Sequence, residues 1–296
     1  MVVGPAGSQP ACWQTGRFAL SLQRPLVLGI LNLTPDSFSD GGQFLAPEAA
    51  LRHAERLLAE GADVLDLGAE STRPGATPLP LADELQRLLP LLRELQRWQV
   101  PLSIDTYKPE VMQACLDLGA DIINDVWALR HPASSSPGGL SAEAVIAQHP
   151  NCGVCLMHMH REPQTMQSAP MSGDVLPQVR DFLAQRVQAL QAHGVARARI
   201  VLDPGIGFGK TVAQNFALLA RQRELLALGY PLLLGWSRKS SLGAVTGDAP
   251  AANRLHTSVA AALLAIERGA SIVRVHDVAP TVQALQVWQA LREQAG

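Results

Sequence analysis

The chain has 296 residues and a mass of 31.6 kDa, with 47% hydrophobic and 17% charged residues, which excludes global disorder and leaves apolar material for a sizeable core. The formal net charge of −2 and pI near 6.4 provide no basic field for nucleic acid or an anionic membrane surface, and no apolar run approaches the roughly 18 residues that span a bilayer. No basic-then-apolar stretch marks a signal peptide at the N-terminus, and four cysteines are too few for a disulfide scaffold, so the expectation is a cytoplasmic protein with free thiols.

Residues 1–10 are expected to be disordered and 11–296 to form one domain. Cys12–Leu22 reads as a hairpin that could close the bottom of a barrel. Eight short runs rich in Val, Ile and Leu then read as strands, each followed by a longer amphipathic stretch that reads as a helix. The units are Leu26–Leu31 with Pro47–Glu60, Val64–Leu67 with Leu81–Trp98, Leu102–Asp105 with Pro109–Leu118, and Ile122–Asp125 with Ser141–Gln148. They continue as Val154–His158 with Val175–His193, Ile200–Leu202 with Val212–Leu226, Leu232–Gly235 with Ala251–Arg268, and Ile272–Val275 with Ala279–Arg292. Leu85, Leu88, Leu89, Leu92 and Leu95 recur at three and four, the spacing of one buried helical stripe. Gly61, Gly119, Gly194, Gly229 and Gly269 stand where left-handed helix caps belong. The strands look apolar on both faces, as in a parallel sheet covered by helices. Eight such units predict an α/β protein with the (β/α)8 TIM barrel fold, preceded by a short hairpin. A doubly wound open sheet shares this local pattern and differs only in strand order.

Barrel active sites lie where the strands end. Those positions hold Asn32, Glu70-Ser71-Thr72-Arg73, Asp105, Asn124-Asp125, His158, Asp203, Ser237-Arg238-Lys239, and Arg274 with His276. The opposite ends read as mostly Gly, Pro and Ala. The loop from Asn32 to Gly42 carries many donors and acceptors and one aromatic, Phe38, and can order over a ligand. Glu70–Gly75 offers hydroxyls and a guanidinium suited to an anion. Asp203-Pro204-Gly205-Ile206-Gly207-Phe208-Gly209-Lys210-Thr211 misses the P-loop pattern by one position, so its glycines point to close backbone approach to a flat ligand, not to nucleotide phosphate. Arg274 and His276, two apart in a strand, point the same way and with Asn32 suit a phosphate-like leaving group. Of 24 basic residues only Lys108, Lys210 and Lys239 are lysine, and a compact ammonium kept against such a bias suggests a chemical requirement. Cys152 and Cys155 are expected to face opposite sides of a strand, which argues against chelation. Met157-His158-Met159-His160 has no evident third metal ligand.

The segments 29–42, Glu70–Gly75, Ser103–Thr106, Ile122–Asp125, Leu202–Lys210, Ser237–Ser240 and Arg274–Asp277 together resemble the dihydropteroate synthase family, in the family's order, from about Pro25 to the C-terminus. The resemblance implies a (β/α)8 barrel that joins 6-hydroxymethyl-7,8-dihydropterin diphosphate to 4-aminobenzoate. It also implies Mg2+, a homodimer and a family that sulfonamides target. By the same resemblance Asp203 accepts from the pterin amino group and ring N–H, Asn124 contacts the same ring, and Lys239 donates to the pterin edge near the aminobenzoate. Asp105 faces the ring and stabilises a pterin cation, Asn32 helps hold Mg2+, and Arg274 and His276 bind diphosphate. Phe38, Thr72 and Pro74 close over the cation, with Arg73 and Met157 among the substrate contacts. Ala69, Tyr107, Trp127, Trp236, His160 and Arg161 depart from the family pattern, and the bulky ones are expected to narrow a pocket. A corrinoid methyltransferase barrel would leave Lys239 and the diphosphate residues unexplained. A non-catalytic pterin-binding paralogue would be expected to lack Asp105, Lys239 or the Arg274/His276 pair.

Overall fold

A computed structural model describes residues 10–33, 46–71, 75–132, 139–163, 165–247 and 250–295. The expected disorder of the first residues lies outside these, residue 10 excepted, as does most of the loop after Asn32. An antiparallel hairpin, β1 (Cys12–Thr15) and β2 (Phe18–Ser21), precedes the barrel. The barrel strands are β3 (Leu26–Asn32), β4 (Val64–Gly68), β5 (Leu102–Asp105), β6 (Ile122–Asp125), β7 (Gly153–Met157), β8 (Ile200–Asp203), β9 (Leu233–Leu234) and β10 (Ile272–Val275). They run parallel in the order β8-β7-β6-β5-β4-β3-β10-β9, and a bridge between Leu202 and Leu232 joins β8 to the start of β9. The result is the (β/α)8 barrel, not the open sheet.

Helices α1 (Ala46–Ala59), α2 (Leu81–Leu95), α3 (Pro109–Asp117), α4 (Ala142–Gln148), α5 (Val175–Ala192), α6 (Val212–Ala220), α7 (Ser240–Thr246), α8 (Leu255–Glu267) and α9 (Val278–Ala295) surround it. The leucine stripe of α2 buries Leu88, Leu92 and Leu95, and Leu91 joins them. The predicted single helices Leu81–Trp98 and Val212–Leu226 each end in a separate 3₁₀ segment, Gln96–Trp98 and Gln222–Leu228. Thr211 and Gln214 form a reciprocal capping box that starts α6. All five predicted cap glycines adopt a left-handed backbone. At Gly269 a Cβ would also come within 2.6 Å of Leu226 Cδ1. The sequence pattern does not expose helix α7, because seven residues show too little periodicity to separate from a loop.

Two apolar layers divide the strands. Outward residues such as Val27, Leu65, Ile104, Ile123, Leu202 and Val273 pack under the helices. Inward residues Leu26, Leu28, Val64, Ile122, Cys155, Val201, Leu233 and Ile272 fill the lower interior, with Trp13 of the hairpin against them. Above that layer the inward face becomes polar, so the strands are not apolar on both faces as the sequence suggested. Cys152 and Cys155 fall in different layers and are free thiols. Trp236 packs against Phe216 in the outer layer, with ring centroids 5.3 Å apart, and so supports the barrel wall instead of narrowing a pocket.

The lower rim is also more polar than expected. Asp121 is fully buried and accepts from the Arg17 amide at 2.9 Å, Arg17 Nε at 3.0 Å, Arg17 Nη2 at 2.7 Å and the Leu102 amide at 3.0 Å. Arg199 donates to the carbonyls of Cys152, Ile146 and His149, and Asp63 accepts from the Val27 amide and pairs with Arg24. These groups tie the hairpin and the strand starts together, a role that single-residue pattern reading does not expose. Replacing Asp121 by Ala strands several donors, and we expect a loss of about 3 kcal/mol. Urea unfolding should show a lower midpoint with an unchanged slope.

Candidate active site

The upper interior is built from alternate residues of neighbouring strands. Asp66 of β4 is fully buried and accepts from Ser103 Oγ of β5 at 2.6 Å. Asn124 Nδ2 of β6 lies 3.4 Å from Asp66 Oδ2. Arg274 reaches in from β10, with Nε 2.6 Å from Asp66 Oδ2 and Nη2 2.7 Å from Asp105 Oδ2. Asp105 Oδ1 is buried without a hydrogen-bond partner among the described residues, an acceptor that suits a ligand. Burial, opposed by Arg274 and reinforced by the nearby carboxylates of Asp66, Asp125 and Glu84, raises the Asp105 carboxyl to about 7.

Beside this wall, Asp203 ends β8, and its Oδ1 accepts the Gly205 amide at 2.7 Å. Burial raises Asp203 to about 6 against that bond and the positive charges of Lys239, Lys210 and Arg274. The Gly-rich turn then folds back over the mouth. Gly205, Gly207 and Gly209 all have positive φ, and a Cβ on Gly205 would overlap the His158 carbonyl oxygen. Phe208 is carried under Lys239, whose Nζ lies 4.3 Å from the ring centroid, a cation–π contact. Asn215 accepts the Gly207 amide at 2.9 Å and donates to Ser241 Oγ at 2.9 Å, linking the turn to the start of α7 next to Lys239. Met157 and Phe208 belong to an apolar cluster with Tyr107, Val126, Met159 and Met166.

On the opposite side, Asn32 and His276 line a cavity of about 710 Å³, together with Arg238, His53, Arg52 and Arg56. Ser237 Oγ accepts the His276 amide at 3.1 Å and lies 3.0 Å from His276 Nδ1. The hydroxyl can therefore give its proton to Nδ1, in the tautomer that keeps Nε2 as a donor. Arg238 is held by Asp277 through two bonds of 3.0 and 2.6 Å. Among the described residues no group of three His, Cys, Asp or Glu could cage a metal. Asn32 supplies one hard carboxamide oxygen on the cavity wall, and Mg2+ ordinarily keeps waters and takes phosphate oxygens besides a few protein ligands. The residues thus fit a metal that shares its shell with a phosphorylated substrate.

Asp105, Asn124, Asp203, Lys239, Met157 and Arg274 come together at the mouth, and Asn32 and His276 share the adjoining cavity. Arg274 does not line that cavity; its guanidinium is committed to two carboxylates. Phe38, Thr72, Arg73 and Pro74 lie outside the described residues. Asp66 and Ser103 were missed by sequence reasoning. The available signal was a carboxylate in the middle of the apolar run Val64-Leu65-Asp66-Leu67, because unpaired acids are excluded from such interiors. Tyr107 donates to Glu70 Oε1 at 2.8 Å and stands beside Trp127 and His131 on a second cavity of about 580 Å³. Lys108 pairs with Glu70 and Glu84 at the edge of the same cavity.

Residues 28–276 match the model of the pterin binding enzyme family. The dihydropteroate synthase of Neisseria meningitidis serogroup B is 49% identical, covering 94% of this chain and 97% of its own. The crystal structure of Burkholderia cenocepacia dihydropteroate synthase complexed with 7,8-dihydropteroate is 53% identical, with a TM-score of 0.86 over 98% of this chain and 99% of that one. The Xanthomonas albilineans dihydropteroate synthase with 4-aminobenzoic acid is 48% identical, with a TM-score of 0.85 over 93% and 95% of the two chains.

Carboxyl carbon NMR should find Asp105 titrating near pH 7 in the free protein. Replacing Arg274 by Met removes the charge that favours ionised Asp105, so the midpoint should move up. A midpoint that stays put or falls would contradict the pairing.

Proposed function

The chain belongs to the dihydropteroate synthase family of pterin-binding enzymes, and we propose that the residues gathered at its barrel mouth carry the family's reaction. It is a transferase of folate biosynthesis, condensing 6-hydroxymethyl-7,8-dihydropterin diphosphate with 4-aminobenzoate to give 7,8-dihydropteroate and diphosphate. The observation that carries the assignment of roles is the wall of acceptors at the ends of three strands, the buried Asn124 and Asp203 and the half-buried Asp105 with its buried Oδ1. An edge with adjacent amino and ring N–H donors matches it, because one carboxylate accepts two parallel bonds.

In this reading Asp203 and Asn124 hold the pterin edge, and Lys239, steadied over Phe208, donates to the same ring near the incoming amine. The bond between the exocyclic methylene carbon and oxygen breaks, and its electron pair leaves with diphosphate. Asp105 stabilises the positive charge left on the ring. His276 gives a hydrogen bond to the departing diphosphate, and Arg274, paired with Asp105, adds a nearby charge opposite to that of the leaving group. The amine of 4-aminobenzoate then forms the new C–N bond and loses a proton. Mg2+, when bound, would neutralise the diphosphate's growing charge, with Asn32 as its protein ligand. Phe38, Thr72, Arg73 and Pro74 are assigned to the closing loops, where exclusion of water protects the cation.

A homodimer is part of the same proposal. Leu264 on α8 and Val287 and Leu291 on α9 are exposed apolar side chains on adjacent helices, a surface suited to a second copy. No helix among the described residues is long and apolar enough to cross a membrane. A cytoplasmic location is proposed, supported by the free state of the four cysteines.

Diphosphate release by the purified protein with Mg2+ should depend on 4-aminobenzoate, yield dihydropteroate, and stop with EDTA; a sulfonamide should compete with 4-aminobenzoate. Asp203→Asn should weaken pterin binding at least about tenfold, since each hydrogen bond to a charged group contributes about 1.5–3 kcal/mol. Wild-type pterin affinity should fall as pH drops through about 6, where Asp203 takes up a proton, and the Asn variant should lack that fall. Sedimentation should give twice the 31.6 kDa chain mass, and Val287→Glu with Leu291→Glu should shift it to one.

A further inference from the structure

Lys210 is buried beneath the Gly-rich turn, 3% exposed, and no step of the reaction uses it. Its Nζ lies 2.8 Å from the Gly205 carbonyl, 3.1 Å from the Phe208 carbonyl and 2.9 Å from His158 Nδ1. The His158 carbonyl follows at 3.4 Å. Three close acceptors thus meet the three donors of an ammonium. His158 is itself buried, its ring edge-on to Phe182 with centroids 4.9 Å apart. Burial and the adjacent Lys210 charge hold the imidazole neutral, its pKa lowered to about 2, so Nδ1 can accept while Nε2 carries the proton.

The two nearer carbonyls that Lys210 engages belong to the residues that shape the pterin side of the mouth. Gly205 donates its amide to Asp203 Oδ1 at 2.7 Å while its carbonyl accepts from Lys210. Phe208 offers its carbonyl to Lys210 and its ring to Lys239. The turn lies so close to the His158 backbone that Gly205 has no room for a Cβ. We propose that Lys210 is a positioning residue for pterin recognition, clasping the Gly205–Phe208 turn to His158 and so fixing the Asp203 carboxylate and the Phe208 ring. An arginine could not take this place. Its planar fork spreads donors in one plane, whereas an ammonium directs three donors from one point. That need accounts for one of the three lysines in a chain that otherwise uses 21 arginines.

This inference rests on reading Asp203 as the pterin's acceptor. The test is calorimetric titration with 6-hydroxymethyl-7,8-dihydropterin diphosphate, without 4-aminobenzoate, on the wild type and on Lys210→Met, His158→Leu, His158→Asn and Asp203→Asn. Loss of the three-bond clasp should raise the pterin Kd about tenfold or more in Lys210→Met. The KM for 4-aminobenzoate at saturating pterin should stay within about twofold, a split that general loss of folded protein would not produce. His158→Asn keeps an amide oxygen or nitrogen near the Nδ1 position and should bind pterin more tightly than His158→Leu. If Lys210→Met does not fold, the comparison of the two His158 variants decides. Wild-type pterin affinity in Lys210→Met, or equal Kd values for the two His158 variants, overturns the clasp. Wild-type affinity in Asp203→Asn overturns the reading of Asp203 and the clasp with it; loss there with normal Lys210→Met affinity overturns the clasp alone.

Discussion

One guanidinium holds the upper barrel together. Arg274 lies half-buried between the fully buried Asp66 and the half-buried Asp105, with bonds of 2.6 and 2.7 Å. Burying such charges costs several kcal/mol per ion unless geometry and further hydrogen bonds offset it. Ser103 and Asn124 add donors to Asp66, which leaves the excess negative charge on Asp105. The arrangement divides the barrel by height. The lower interior must close without charge, and Trp13 with inward Val, Ile and Leu residues does so. The upper interior is polar by necessity, and Asp105 Oδ1 remains there as a buried acceptor with no donor among the described residues.

That surplus of acceptors explains the division of the mouth. Two carboxylates raised to about 7 and about 6 by burial form a recess in which a donor-rich ring and a developing cation are better matched than an anion. Across β3 and β10, Asn32 and His276 meet a cavity whose wall carries Arg52, Arg56 and Arg238 beside Glu60 and Asp277, and the proposed function places the diphosphate there. A substrate bound across this boundary has its scissile bond between a region that favours positive charge and one that favours negative charge. Fixed dipoles and charges then stabilise charge separation without reorganising during the reaction. The same crowding has a cost in the free protein. Asp105 and Asp203 bind protons more tightly folded than unfolded, so their contribution to stability is greatest below the usual carboxylate range and is lost as pH rises through about 6 and 7.

The three lysines have distinct environments. Lys239 lies over an aromatic ring at the mouth, Lys210 is clasped beneath the Gly-rich turn, and Lys108 joins Glu70 to the buried Glu84. Each uses a compact cation on a flexible stem, and the last two distribute donors among several acceptors around a point. At Lys108 and Lys210 the lysines kept against the bias towards arginine thus mark positions whose geometry a planar fork does not match.

The sequence by itself determined the barrel's units, because helix and strand periodicities record burial over a few residues and need no knowledge of distant chain. The leucine stripe of α2, the cap glycines and the polar strand ends were legible for that reason, as were Asp105, Asn124, Asp203, Lys239 and His276 as residues of one rim. The family's motifs extended that reading to substrates and roles. Only the tertiary structure decided that Arg274 turns to Asp66, 208 residues away, that Trp236 faces the helices, and that Lys210 meets His158. It also showed a charged lower rim, where Asp121 and Arg17 meet across 104 residues, in place of the bare one that short-range reading suggested. These outcomes depend on barrel closure, which brings side chains together across an interior whose width and register no local pattern encodes. Asp66 marks the boundary between the two kinds of knowledge: its place in an apolar strand was visible as an anomaly, but its partner became visible only when the strands closed around it.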